Sequence, residues 1–257
     1  MLIKIFLITC LTFAIIYPLC FWISFNDPLK NNFHKFHIGL PNFVGGVAVV
    51  VLLFMNIPLV VKVAVLCWKA SLLSVSSYSW KKDYPNPRLF VIPFLLGIFA
   101  FYIVQKEFIA PGLDILFFSL LGGFILCSSI FAMNLGHWYL NVHGLPIHHL
   151  KRTVYVFWFF LLVRLIGDLY FIVTDKIIIQ GDILPMYTFI QRMDGFFLLV
   201  ALFFGTLFPL MALYFVRGTL EVKSTQSATG ILYVILIAVF IGDLTYKYYL
   251  IQYGIPL

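Results

Sequence analysis

"NFVGGVAVVVLLFMNIPLVVKVAVL" (residues 42–66) holds one charged side chain, Lys62, in an otherwise apolar run. A helix rises about 1.5 Å per residue, so roughly 20 such residues cross about 30 Å of hydrocarbon. The run is read as one crossing, interrupted in its inner half by Pro58. Similar runs follow at 3–25, 89–104, 113–135, 154–174, 195–216 and 229–250. The expected fold is therefore an all-α bundle of seven transmembrane helices, formed by a single polytopic domain over 1–257. The run behind Lys4 exceeds the apolar core of a secretory signal and is read as a span. The 89–104 run is the shortest, with Pro93 early in it.

Composition agrees. The chain is 63% hydrophobic and 11% charged, with a mean hydropathy of +1.04, far from the balance of a soluble domain. Its apolar runs show none of the alternation of a membrane β-barrel. The formal charge of +7 then reads as topology and attraction to membrane lipids, not as nucleic-acid binding.

With seven spans, Lys4, Lys69, Lys81, Lys82, Arg88, Lys151, Arg152, Arg217 and Lys223 share one side. Lys30, Lys35, Lys106, Lys176, Arg192 and Lys247 share the other. Basic loops stay inside, which sets the N-terminus inside and the C-terminus outside. Compact loops suggest a bacterial inner membrane. Cys10, Cys20, Cys67 and Cys127 show no CxxC, haem-attachment or zinc spacing.

Two clusters are candidate sites. The first is outer: Arg164 with Asp168, and Asp243 with Lys247, each spaced i,i+4, joined by Arg192 and Asp194. Ionisable groups in apolar spans face a bundle interior, a partner or water, so these six are expected to point inward. The echo "LIGDLY" (165–170) and "FIGDLT" (240–245) sets Asp168 and Asp243 at one depth.

The second is "MNLGHWYLNVHGLPIHHLKR" (133–152), at the inner side. Asn134, His137 and Asn141 recur at helical spacing beside Trp138, with Gly136 admitting a close neighbour. These four are read as a cofactor pocket in which His137 hydrogen-bonds a quinone headgroup or ligates a b-type haem. His143, His148 and His149 are read as solvated. "FHKFHIGLPNFVGG" (33–46) is read as a juxtamembrane segment anchored by Phe33, Phe36 and Phe43, with Gly45 and Gly46 set for close packing. Trp68, Tyr78 and Trp80 are read as an aromatic belt.

Three functions follow as expectations: a quinone- or haem-associated redox component, an ion- or proton-coupled transporter using the aspartates, or a non-catalytic subunit among other membrane subunits. No GxSxG or HExxH occurs, so enzyme activity stays open and no catalytic residue or metal site is assigned.

Overall fold

The computed structural model describes residues 1–24, 29, 33–83, 85–142, 145–179 and 182–256, with side chains for all but 178, 179 and 182. Lys30 and His143, named above from the sequence, lie outside that set. The chain packs as two compact units, Met1–Leu116 and Phe117–Leu257.

In the first unit, α1 (Leu2–Ser24) is followed by α2 (Phe33–Phe54), α3 (Leu59–Trp80) and α4 (Pro87–Phe108). The 42–66 run is thus not one crossing. It breaks over Met55–Pro58, and the chain resumes as a separate helix. Pro58 causes the break: lacking an N–H, it sits in extended conformation as the N-cap of α3. In the serine-rich end of α3, Ser74 donates to the Ala70 carbonyl at 2.8 Å and Ser76 accepts from the Asn42 amide of α2 at 2.6 Å. The short 89–104 run extends to a full-length helix in α4.

Trp68 is no belt residue. It is 1% exposed and wedged where the missing side chains of Gly45 and Gly97 let α2 and α4 approach α3. Gly46, by contrast, faces open space. Tyr78 and Trp80 are exposed, as a belt requires.

The second unit takes most of α5 (Leu113–Asn141), then α6 (His148–Thr174), α8 (Met193–Glu221) and α9 (Thr225–Tyr253). Between α6 and α8 the sequence reading missed a small β-hairpin. Its strands, β1 (Lys176–Ile179) and β2 (Asp182–Pro185), pair antiparallel with Ile177 opposite Leu184, and lead into a short helix, α7 (Met186–Ile190). Ile177, Met186 and Phe189 close over Leu198, Tyr246 and Tyr249 as one apolar cluster. Among the described residues, eight helices are long and apolar enough to cross a membrane. By that measure the chain is a multi-pass helical membrane protein.

One irregularity positions the site. Phe203–Leu207, within α8, forms a π-turn just before Pro209. Such turns insert a surplus residue into a helix and recur at functional sites. Here it coincides with contact against α9 so close that a Cβ on Gly242 would lie 2.2 Å from the Gly205 Cα.

Candidate functional site

Asp168 lies about 30 Å along α6 and Asp243 about 27 Å along α9, at roughly 1.5 Å per residue. The two helices therefore carry carboxylates to similar distances from their starts, as the hexapeptide echo suggests. Both are buried, as are Arg164 and Lys247. Four of the six expected inward-facing charges do turn inward. Arg192 and Asp194 do not: both are exposed at the start of α8. The Asp194 backbone carbonyl accepts from the Tyr249 hydroxyl at 2.6 Å.

The two acid–base pairs differ. Lys247 donates to Asp243 Oδ2 one turn away on α9, closing that pair on itself. Asp168 is instead held by hydroxyls. Its Oδ2 accepts from Tyr246 at 2.7 Å and from Thr206 at 2.9 Å. These two hydroxyl oxygens are 2.9 Å apart. Each has a single proton, so both can be donated to the carboxylate, which draws the two oxygens together. Asp168 Oδ1, on a residue 1% exposed, has no hydrogen-bond partner.

Arg164 is also incompletely satisfied. Its guanidinium carbon sits 4.4 Å from the centre of the Tyr246 ring and 5.9 Å from that of Phe118, a cation–π arrangement. Its Nε and Nη1 lack hydrogen-bond partners. Beside it is a small gap of about 10 Å³ bordered by Gly122, Gly205, Asp243 and Tyr246, room for at most about one water molecule. The gap exists because Gly122 has no side chain. A Cβ there would lie 2.9 Å from Arg164 Nη2 and 3.0 Å from Asp243 Oδ1.

Thr206 and Tyr246 were absent from the sequence-derived candidates. Threonine and tyrosine are unremarkable in apolar helices; only the i,i+3 spacing of Tyr246 from Asp243 hinted at a shared face.

The 133–152 stretch is arranged differently. His137 is exposed on α5, its Nδ1 3.3 Å from the Tyr233 hydroxyl on α9. Asn141 is exposed and donates to the His137 backbone carbonyl at 3.2 Å, while Asn134 and Trp138 are half-buried. Gly136 does admit a neighbour: a Cβ there would lie 2.7 Å from Thr229 Oγ1. His149 is buried rather than solvated, and His148 is exposed. Among the described residues, no group of three or more His, Cys, Asp or Glu side chains is placed to hold a metal ion.

In the first unit, residues 33–46 form the first part of α2. His37 and Phe33 are buried, the His37 Nδ1 lying 2.7 Å from the Tyr17 hydroxyl. Phe36 and Phe43 are exposed. Lys69, read above as an inner-loop cation, is buried in α3, donating to the Asn42 carbonyl at 2.6 Å and to Asn42 Oδ1 at 3.1 Å.

No known protein family matches the chain, and neither the curated proteins nor the solved structures provide a match.

Proposed function

We propose that the second unit works as the ion-handling part of a proton-coupled membrane transporter, with Asp168 as the group that gains and loses the proton. The observation that carries this reading is the half-filled carboxylate. One buried oxygen receives two hydroxyl protons, and the other receives nothing. Burying an incompletely solvated charge costs several kcal/mol by most estimates. A proton on Oδ1 removes that cost, and a water in the gap beside Arg164 supplies the guanidinium with an acceptor. Asp243, neutralised by Lys247, is the fixed counterpart. Thr206 and Tyr246 orient Asp168.

Eight crossings change the expected orientation at one end. Alternation then groups Lys30, Lys35, Lys81, Lys82, Arg88, Lys151, Arg152, Arg217 and Lys223 against Lys4, Lys62, Lys106, Lys176, Arg192 and Lys247. The richer side is inside. Both termini are then outside, and the bacterial inner membrane is the compartment this reading adopts.

The test uses protein reconstituted into potassium-loaded vesicles containing a pH-sensitive dye, with valinomycin imposing an inward-negative potential. Proton entry that depends on the protein and is lost in Asp168→Asn supports the reading. Equal rates for wild type, Asp168→Asn and empty vesicles overturn it.

A further inference from the structure

Where α6 begins and α8 ends, the second unit presents a basic patch that the buried charges do not explain. Arg217 lies one turn from the end of α8, its side chain 47% exposed. Its Nε donates to Glu221 Oε1 at 3.1 Å, and among the described residues its two terminal amines have no hydrogen-bond partner. A guanidinium held at one edge keeps a planar, two-pronged face for an oxyanion. The helix α6 packs against α8. The Tyr155 phenol on α6 lies within electrostatic reach of Arg217, as does that of Tyr214, one turn back on α8. Lys151 and Arg152 precede Tyr155 by four and three residues and so share its side of α6. Against these three cations stands Glu221, and the patch stays positive. The surface leading away from it is apolar. On α6 an exposed ridge runs from Tyr155 through Phe159 and Leu162 to Ile166, and on α8 another runs from Tyr214 through Met211 to Leu207, each at helical spacing.

We infer that this patch binds an anionic phospholipid, with Arg217 gripping the phosphate beside Lys151 and Arg152 and the acyl chains lying along the two apolar ridges. Charge complementarity and the ridges together select this occupant. A soluble phosphate would use the cations and leave the ridges bare. A choline lipid would use the ridges, but its own cation would meet the basic patch. An anionic phospholipid satisfies both ends, since basic side chains at a membrane surface attract acidic headgroups. Tyr155 and Tyr214 suit the boundary between the two, where an amphipathic ring keeps its hydroxyl at headgroup level and its body in hydrocarbon. The inference is independent of the proton reading, since it uses none of the same residues.

The experiment titrates dioleoyl phosphatidylglycerol or dioleoyl phosphatidylcholine into the full-length protein in a mild detergent, counts bound lipids by native mass spectrometry, and adds glycerol 3-phosphate as a soluble competitor. The first phosphatidylglycerol is expected to bind about tenfold more tightly than the first phosphatidylcholine and to resist the competitor. Arg217→Gln should reduce that preference about fivefold, the effect of one basic side chain near a membrane surface. Lys176→Gln, at the opposite end of α6, should leave it unchanged. Equal affinity for the two lipids overturns the site, as does a full preference in Arg217→Gln or a loss that follows Lys176→Gln instead. Displacement by glycerol 3-phosphate at lipid-like concentration assigns the patch to a soluble phosphate and overturns the lipid. If Arg217→Gln does not fold, phosphatidylglycerol with a diazirine in its acyl chain decides on the wild-type protein. Labelled peptides within 151–166 or 207–221 support the site, and labelling confined elsewhere overturns it.

Discussion

Replacing Tyr246 by phenylalanine removes one oxygen and leaves the ring on which Arg164 rests at 4.4 Å. What disappears is the 2.7 Å donation to Asp168 Oδ2, leaving Thr206 as that oxygen's remaining hydroxyl donor. The magnitude depends on the charge of Asp168. A hydrogen bond to a charged group contributes about 1.5–3 kcal/mol, whereas pairs within membrane helices average about 0.6 kcal/mol and reach about 1.7. A double-mutant cycle of Tyr246→Phe with Asp168→Leu, followed by unfolding in mixed detergent micelles, measures this coupling directly. The coupling is about 2 kcal/mol where Asp168 is ionised and about 0.6 kcal/mol where it carries a proton. Coupling within about 0.3 kcal/mol of zero at every pH would refute the proposition that the Tyr246 hydroxyl holds Asp168.

Four further outcomes are expected. Lys247→Met strands the Asp243 carboxylate, costing about 3–5 kcal/mol in the same unfolding assay, and adding Asp243→Leu restores most of it. Gly242→Ala drives a methyl into the Gly205 backbone, and an overpacking cost of about 1–3 kcal/mol or more appears as loss of folded protein on gel filtration. Gly122→Ala fills the gap beside Arg164 and should slow the dye-reported proton entry at least tenfold with little change in melting temperature; unchanged entry would show that the gap is idle. Single cysteines in a cysteine-free background report the eight crossings: Lys82→Cys and Lys151→Cys should resist a membrane-impermeant thiol reagent applied outside, while Lys106→Cys and Lys176→Cys react.

Much of the helical class was legible because hydrophobic length reports the solvent directly. The same signal hid the break at Pro58. Hydropathy averages over side chains and does not sense chain direction, so the tight connection at Met55–Pro58, apolar apart from Asn56, looks like the middle of a span. Arg164, Asp168, Asp243 and Lys247 were legible as a buried cluster because charge in hydrocarbon has few places to go. Arg192 and Asp194 misled because they sit at a helix start, where exposure costs nothing. Thr206 was not legible, since its orientation depends on the π-turn. His37 read as interfacial because its partner Tyr17 comes from α1 and is brought alongside only by folding.

The π-turn at Phe203–Leu207 behaves like a dislocation in a crystal. A surplus residue can be passed along a helix by exchanging one hydrogen-bond partner at a time, and the segment it sweeps past rotates by about 100° and advances by about 1.5 Å. Thr206 rides on that segment, whereas Asp168 and Tyr246 stand on helices without such a fault. The hydroxyl that completes the grip on Asp168 therefore sits on the one helix of the three with slack wound into its backbone, and the surrounding bundle need not come apart for that slack to be taken up.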